Sequence, residues 1–138
     1  MSNGYLLDAC AIIAYINDEE GADVVDDLFA RAFDGDVLIS VSIVNLLEVY
    51  YGILRDLGVD KANEVIDEIQ LLPIKIISDV SYDAFREAGR LKVSYKLSLA
   101  DSVALGIASV TTNFIVTADH HEMDVVEQSE SIKFLWIR

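Results

Sequence analysis

Five short apolar runs, at positions 4–7, 36–41, 73–77, 113–117 and 132–137, alternate along the chain with segments of helical periodicity. The runs have strand length and β-branched content, as in Phe114-Ile115-Val116-Thr117. Helical patterns fill the gaps at 9–18, 21–33, 42–57, 60–71, 79–95, 98–110 and 120–127. Ser42 and Ser98 stand where N-caps belong, and Gly58 where a helix stops. Strands that alternate with helices pair in parallel and are covered on both faces, because each crossover must lie against the sheet. The pattern therefore predicts an α/β fold with a central parallel sheet of five short strands covered by helices on both faces. Ligands of such sheets gather beyond the C-terminal ends of the strands.

The chain has 138 residues, and no repeat, low-complexity segment or linker divides it; Pro73 is its only proline. One domain over residues 1–138 is expected, long enough to bury roughly two-thirds of its unfolded surface. Hydrophobic residues make up 53%, which excludes a disordered chain. The apolar runs are too short to span a bilayer, which needs ~20 residues. The opening M-S-N-G-Y lacks the basic flank of a signal peptide. Cys10 is the only cysteine, so no internal disulfide forms. These features point to a cytoplasmic protein with no membrane contact.

Four carboxylates sit in markedly apolar surroundings. Asp8 closes Y-L-L-D and opens A-C-A-I-I-A-Y-I; Asp119 closes N-F-I-V-T-A-D. Asp101 lies within S-L-A-D-S-V-A-L-G-I-A and Glu48 within S-I-V-N-L-L-E-V-Y-Y-G-I-L. A buried, unpaired carboxylate is costly and normally finds a partner, a proton or a metal. Each acid also has a plainer reading. Asp8 and Asp119 are good N-caps for the helices that follow. Asp101, three residues after Ser98, fits a loose capping box. Glu48 belongs to a possible solvated stripe with Asn45, Gly52 and Arg55 at helical spacing. The conjunction favours function, because Asp8, Asp101 and Asp119 start or lead helices on the expected ligand rim and Glu48 lies on a helix able to face them. Carboxylates grouped without Cys or a spaced His pair make a hard, oxygen-rich site suited to Mg²⁺ or Mn²⁺.

Charge argues against simple phosphate binding. Ten Lys and Arg face 24 Asp and Glu, a net charge of −14 that repels nucleic acid. A bound cation, or the cluster Arg86, Arg90, Lys92 and Lys96, would relieve this, although the cluster also reads as an ordinary solvated helix face. His120 and His121 read as exposed residues of a first helical turn. The string Asp119-His120-His121 matches the D-H-H phosphoesterases, whose further Asp motifs are missing here. No H-E-x-x-H, P-loop or Rossmann glycine pattern is present. The paired acids of a receiver domain and the D-x-D of haloacid dehalogenases are absent after the first strand.

In their order and spacing, the segments Y-L-L-D-A-C-A-I-I-A-Y-I, S-I-V-N-L-L-E-V-Y-Y-G-I-L, L-S-L-A-D-S-V-A-L-G-I-A and I-V-T-A-D-H-H-E-M resemble the PIN domain family, and within it the VapC-type toxins. The resemblance runs over nearly the whole chain. It implies a PIN-like fold and an endoribonuclease dependent on Mg²⁺ or Mn²⁺, in which water attacks an RNA phosphodiester to leave a 3′-hydroxyl and a 5′-phosphate. The family's acidic quartet falls on Asp8, Glu48, Asp101 and Asp119, as catalytic and metal-holding residues, with Thr117 as the hydroxyl before the last acid. Glu122 and Asp124 stand outside this quartet, and a contribution of either to the site is left open. A small antitoxin protein and a homodimer are the implied partners, docking through the helices at 42–57 and 60–71 that carry Tyr50, Tyr51, Leu54 and Leu57. The chain departs from the family in having Ala9 and Cys10 where Ser or Thr often follows the first Asp, and in its strong acidity. The alternative is a non-catalytic PIN-like module, an interaction or RNA-processing scaffold whose acids bind a structural cation.

Overall fold

In the computed structural model, which describes residues 4–138, the central strand is β1 (Gly4–Leu7), and it leads straight into α1 (Ala9–Ile16). There follow α2 (Ala22–Phe33), β2 (Leu38–Ser42), α3 (Ile43–Leu57), α4 (Val59–Gln70) and β3 (Lys75–Ile77). The second half holds α5 (Tyr82–Ser94), α6 (Leu99–Thr111), β4 (Phe114–Thr117), α7 (His120–Ser129) and β5 (Phe134–Trp136). The five strands form one parallel sheet in the order β3-β2-β1-β4-β5. The expected elements are therefore present, with ends shifted by a few residues. Ser81 caps α5 by accepting from Ala84 N–H (3.2 Å), which leaves 79–81 outside the helix.

Strand alternation divides the core in two. Leu7, Val41 and Val116 point to one side of the sheet and pack with residues of α1, α2, α3 and α4. Leu6 and Ile115 point to the other side and pack with α5, α6 and α7. Ser42 and Ser98 cap α3 and α6 as expected, accepting from Val44 N–H and Asp101 N–H (both 3.1 Å). Gly58, at φ 91°, ends α3. The pairing of α5 with α6 depends on Gly106: a Cβ there would lie 2.6 Å from the Ala84 carbonyl oxygen and 2.8 Å from Ala88 N. No helix among the described residues is long and apolar enough to cross a membrane.

Strand order fixes where a ligand goes. From β1 the chain winds outward through β2 to β3, then returns to the other side of β1 through β4 and β5. The switch point is the crevice between the C-terminal ends of β1 and β4, where open α/β sheets bind ligands. Asp8 follows β1 directly, and Asp119 lies two residues beyond β4.

Candidate active site

Asp8 is buried between the two strand ends, and both of its oxygens are engaged. Oδ1 accepts from Ala11 N–H (2.9 Å), which caps α1, and Oδ2 accepts from the Thr117 hydroxyl in a short bond. The same hydroxyl accepts from Asp119 N–H (2.9 Å), so Thr117 ties the two acids together across the switch point. Asp119 in turn caps α7, its Oδ1 accepting from Glu122 N–H (3.2 Å). The capping readings of Asp8 and Asp119 thus hold, and they fix the carboxylates on the rim rather than removing them from it.

Asp101 behaves differently from a capping-box acid. In a capping box its carboxylate would reach back to the N–H of Ser98. That N–H donates instead to Glu122 Oε1 from α7 (2.5 Å). Asp101, only 6% exposed, is left to face the other acids. Ligand oxygens of Asp101, Asp119 and Glu122 lie within 4.8 Å of one another.

Burial and neighbouring charge raise the pKa of three of these acids, Asp8, Asp101 and Glu48. Burial pushes the Asp8 pKa up to about 7 against the pull of its two hydrogen bonds, with Asp119 and Glu48 adding repulsion. Burial also pushes Asp101 up to about 8, reinforced by the charges of Asp8, Glu122 and Asp119. Glu48, half-buried on α3, is raised by desolvation and by Glu122 and Asp119, while a hydrogen bond from Asn45 lowers it. Among the described residues, none of these five acids makes a salt bridge.

The sequence matches the PIN domain over residues 5–127. The chain belongs to the PIN domain family. No curated protein sequence matches it. Its structure resembles VapBC2 from Rickettsia felis, solved with a promoter DNA fragment, at 16% identity over 96% of this chain and 98% of that one, with a TM-score of 0.75. DNA-bound VapBC from Salmonella typhimurium is 16% identical over the whole of both chains, with a TM-score of 0.72. VapC20 of Mycobacterium tuberculosis, described as a toxin cleaving the sarcin–ricin loop, is 13% identical over 80% of this chain and 86% of that one, with a TM-score of 0.61. At these identities the likeness is one of fold.

Within this PIN domain Asp101 and Asp119 meet at ligand distance and Glu122 joins them, while Asp8 and Glu48 stand outside that group but near enough to be repelled by Asp119. Its only sequence signal is the spacing Asp119-x-x-Glu122, which also describes a helix start. Asp124 is turned to His120, whose ring bonds Asp124 through Nδ1 (2.7 Å) and the Arg138 carbonyl through Nε2 (2.8 Å). That ring stacks on Trp136 with centroids 3.9 Å apart, so His120, though exposed as expected, ties down the last strand. The proposed stripe on α3 runs from core to solvent: Asn45 is fully buried and Arg55 exposed. The basic cluster is largely engaged by its own chain. Arg90 pairs with Glu87 and Glu130 (both 2.6 Å), Arg86 with Asp83 (3.9 Å), and Lys92 donates to the Leu97 carbonyl (2.6 Å). Cys10, beside Asp8, is no nucleophile, since burial and that carboxylate push its thiol up to about 11.

The donor set fits a divalent cation. It is all oxygen, concentrated at one crevice, and among the described residues no lysine or arginine forms a salt bridge with it. Behind it, the fully buried Asn45 donates its amide to Glu48 Oε1 and leaves its own carbonyl Oδ1 without a hydrogen-bond partner.

Proposed function

We propose that this protein is a divalent-metal-dependent endoribonuclease acting in the cytoplasm, the toxin of a VapBC-type toxin–antitoxin pair. The observation that carries the reading is the meeting of Asp101, Asp119 and Glu122 at the switch point, with Asp8 and Glu48 beside them and, among the described residues, no salt bridge to any of the five. Two unit charges ~4 Å apart repel by about 4 kcal/mol at an effective dielectric of ~20, so the set is poised for a cation rather than for itself.

Asp101, Asp119 and Glu122 would hold Mg²⁺ or Mn²⁺, with Asp8 completing the inner rim. When bound, such an ion neutralises charge developing on a phosphodiester and promotes in-line attack by water. Thr117 and the Ala11 N–H keep Asp8 in one orientation, and the Ser98 N–H does the same for Glu122. Glu48, reaching in from α3, would hold the metal or orient the attacking water. The products on this reading are a 3′-hydroxyl and a 5′-phosphate.

A homodimer and a small antitoxin are the proposed partners. Leu47, Tyr51, Leu54 and Leu57 on α3 are exposed, beside a groove of about 310 Å³ lined by Ile43, Val44, Leu46, Leu47, Tyr50 and Ile66. Exposed apolar area of this kind marks interfaces. The net charge of −14 suits a basic antitoxin arm. The Rickettsia and Salmonella structures bearing this fold are described as VapBC assemblies.

The test is cleavage of total cellular RNA with Mg²⁺ or Mn²⁺, with EDTA and an Asp101→Asn variant as controls. Cleavage lost in both controls supports the reading. Mn²⁺ binding with no cleavage of any RNA would favour the non-catalytic module instead.

A further inference from the structure

Asn45 is fully buried on α3, yet its side chain is only half satisfied. Nδ2 donates to Glu48 Oε1 at 3.2 Å, one turn along the helix. Among the described residues, Oδ1 is the one buried side-chain nitrogen or oxygen atom with no hydrogen-bond partner. A buried carbonyl without a donor carries a desolvation cost that an apolar side chain of the same shape avoids. Leucine has nearly that shape, and the adjoining Leu46 and Val49 are apolar and buried. Packing therefore gives no reason for an amide here. Capping gives none either, because Ser42 already caps α3.

What the amide does is hold Glu48. A glutamate side chain has three rotatable bonds, and this one is only half-buried, so without a fixed donor it would sample solvent-facing rotamers. It lies near enough to Glu122 and Asp119 to be repelled by both, which favours exactly that outward swing in a metal-free site. We propose that Asn45 is a positioning residue: its amide sets Glu48 against the acidic cluster, and its unpaired carbonyl is the stability surrendered for that placement. The inference rests on the metal-nuclease reading above. Partners of this outer kind typically change metal affinity or activity by about 10–100-fold.

The test measures Mn²⁺ affinity by calorimetry and melting temperature in EDTA. The proteins are wild type, Asn45→Leu, Asn45→Ala, Glu48→Ala and the Asn45→Leu/Glu48→Ala double variant. Asn45→Leu should melt at or above wild type without metal and bind Mn²⁺ at least ~10-fold more weakly. In the Glu48→Ala background the same substitution should change affinity by less than about twofold, because no carboxylate is left to position. Asn45→Ala leaves a cavity and should melt lower, yet should lose the same affinity, which keeps the inference testable if the leucine variant does not fold. Unchanged Mn²⁺ binding in the Asn45 variants, or an equal loss with and without the Glu48 carboxylate, overturns the positioning role and leaves the metal site standing. Asn45→Leu melting far below wild type, together with wild-type Mn²⁺ affinity in Asn45→Ala, assigns the residue to packing and overturns it as well. Wild type that takes up no Mn²⁺ overturns the nuclease reading, and this inference with it.

Discussion

Replacing Asp8 by asparagine separates its two roles. Asn is nearly isosteric and caps a helix about as well as Asp, so the bond from Ala11 N–H (2.9 Å) has an acceptor in either protein. What disappears is a carboxylate whose pKa burial raises from 3.8 to about 7, and with its Oδ2 the acceptor of the Thr117 hydroxyl, which offsets part of the gain. In the metal-free protein the folded state holds that proton more tightly than the unfolded chain does. Its contribution to stability is fully present below the unfolded pKa and is lost as pH rises from about 4 to about 7. Three units at 1.36 kcal/mol each come to ~4 kcal/mol, an upper figure because the site can relax. Unfolding entropy of about 2.1 cal/mol/K per residue makes 1 kcal/mol worth roughly 3 °C in a chain of this size.

In EDTA, therefore, wild type should melt progressively lower between pH 5 and pH 8. Asp8→Asn should show a shallower slope and stand ~5–12 °C above wild type at the upper end. Adding Mn²⁺ should reverse the order, because an ion that binds only the folded state stabilises by mass action and needs the charge that Asn lacks. Circular dichroism melts across this pH range, with EDTA or Mn²⁺, read both effects. An Asp8→Asn protein that melts below wild type at pH 8 in EDTA and shows the same Mn²⁺ shift would refute the reasoning and leave Asp8 as a cap alone.

Asp8→Asn and Asp101→Asn should each stay folded and lose RNA cleavage by orders of magnitude, and the double variant should be little worse than either single, since residues acting as one unit are strongly non-additive; single-turnover cleavage assays check this. Tyr51→Glu should leave the melting temperature nearly unchanged while shifting the protein to a monomer in light scattering, because the side chain is exposed on the apolar face of α3. Gly106→Ala should cost about 1–3 kcal/mol, a fall of roughly 3–10 °C, by forcing α5 away from α6; thermal melts at fixed pH measure it.

Local patterns made much of this molecule legible. Strand runs, serine caps and the Gly58 stop are written in contiguous residues, so they could be placed within a few positions. Asp8, Glu48, Asp101 and Asp119 were visible because each is an acid in an apolar stretch. Glu122 lacked that contrast: it lies in H-H-E-M-D, and only the packing of α7 near the start of α6 brings it to Ser98. Asn45 shares its helical spacing with Glu48, Gly52 and Arg55, and the depth at which such a stripe enters the core depends on the neighbours of α3. Strand order is equally non-local, because periodicity sets each element without saying which side of β1 receives β4. The pairing of Arg90 with Glu130, 40 residues away, is of the same kind.

The choice of caps separates structural need from what the switch point requires. Serine caps α3, α5 and α6 through Ser42, Ser81 and Ser98, and each hydroxyl accepts from a backbone N–H at the helix start. Aspartate caps only α1 and α7, the two helices that begin at the C-terminal ends of β1 and β4. A capping requirement alone is met by serine about as well, without burying a charge. The positive ends of α1, α6 and α7 offset part of that charge, by about 0.3–1 kcal/mol each and up to ~2 in partly buried geometry. Asp8 still stands at about 7 with its two hydrogen bonds in place, and Asp101 at about 8. The fold therefore anchors these carboxylates and leaves them under-compensated, an arrangement that a cation relieves and a cap does not need.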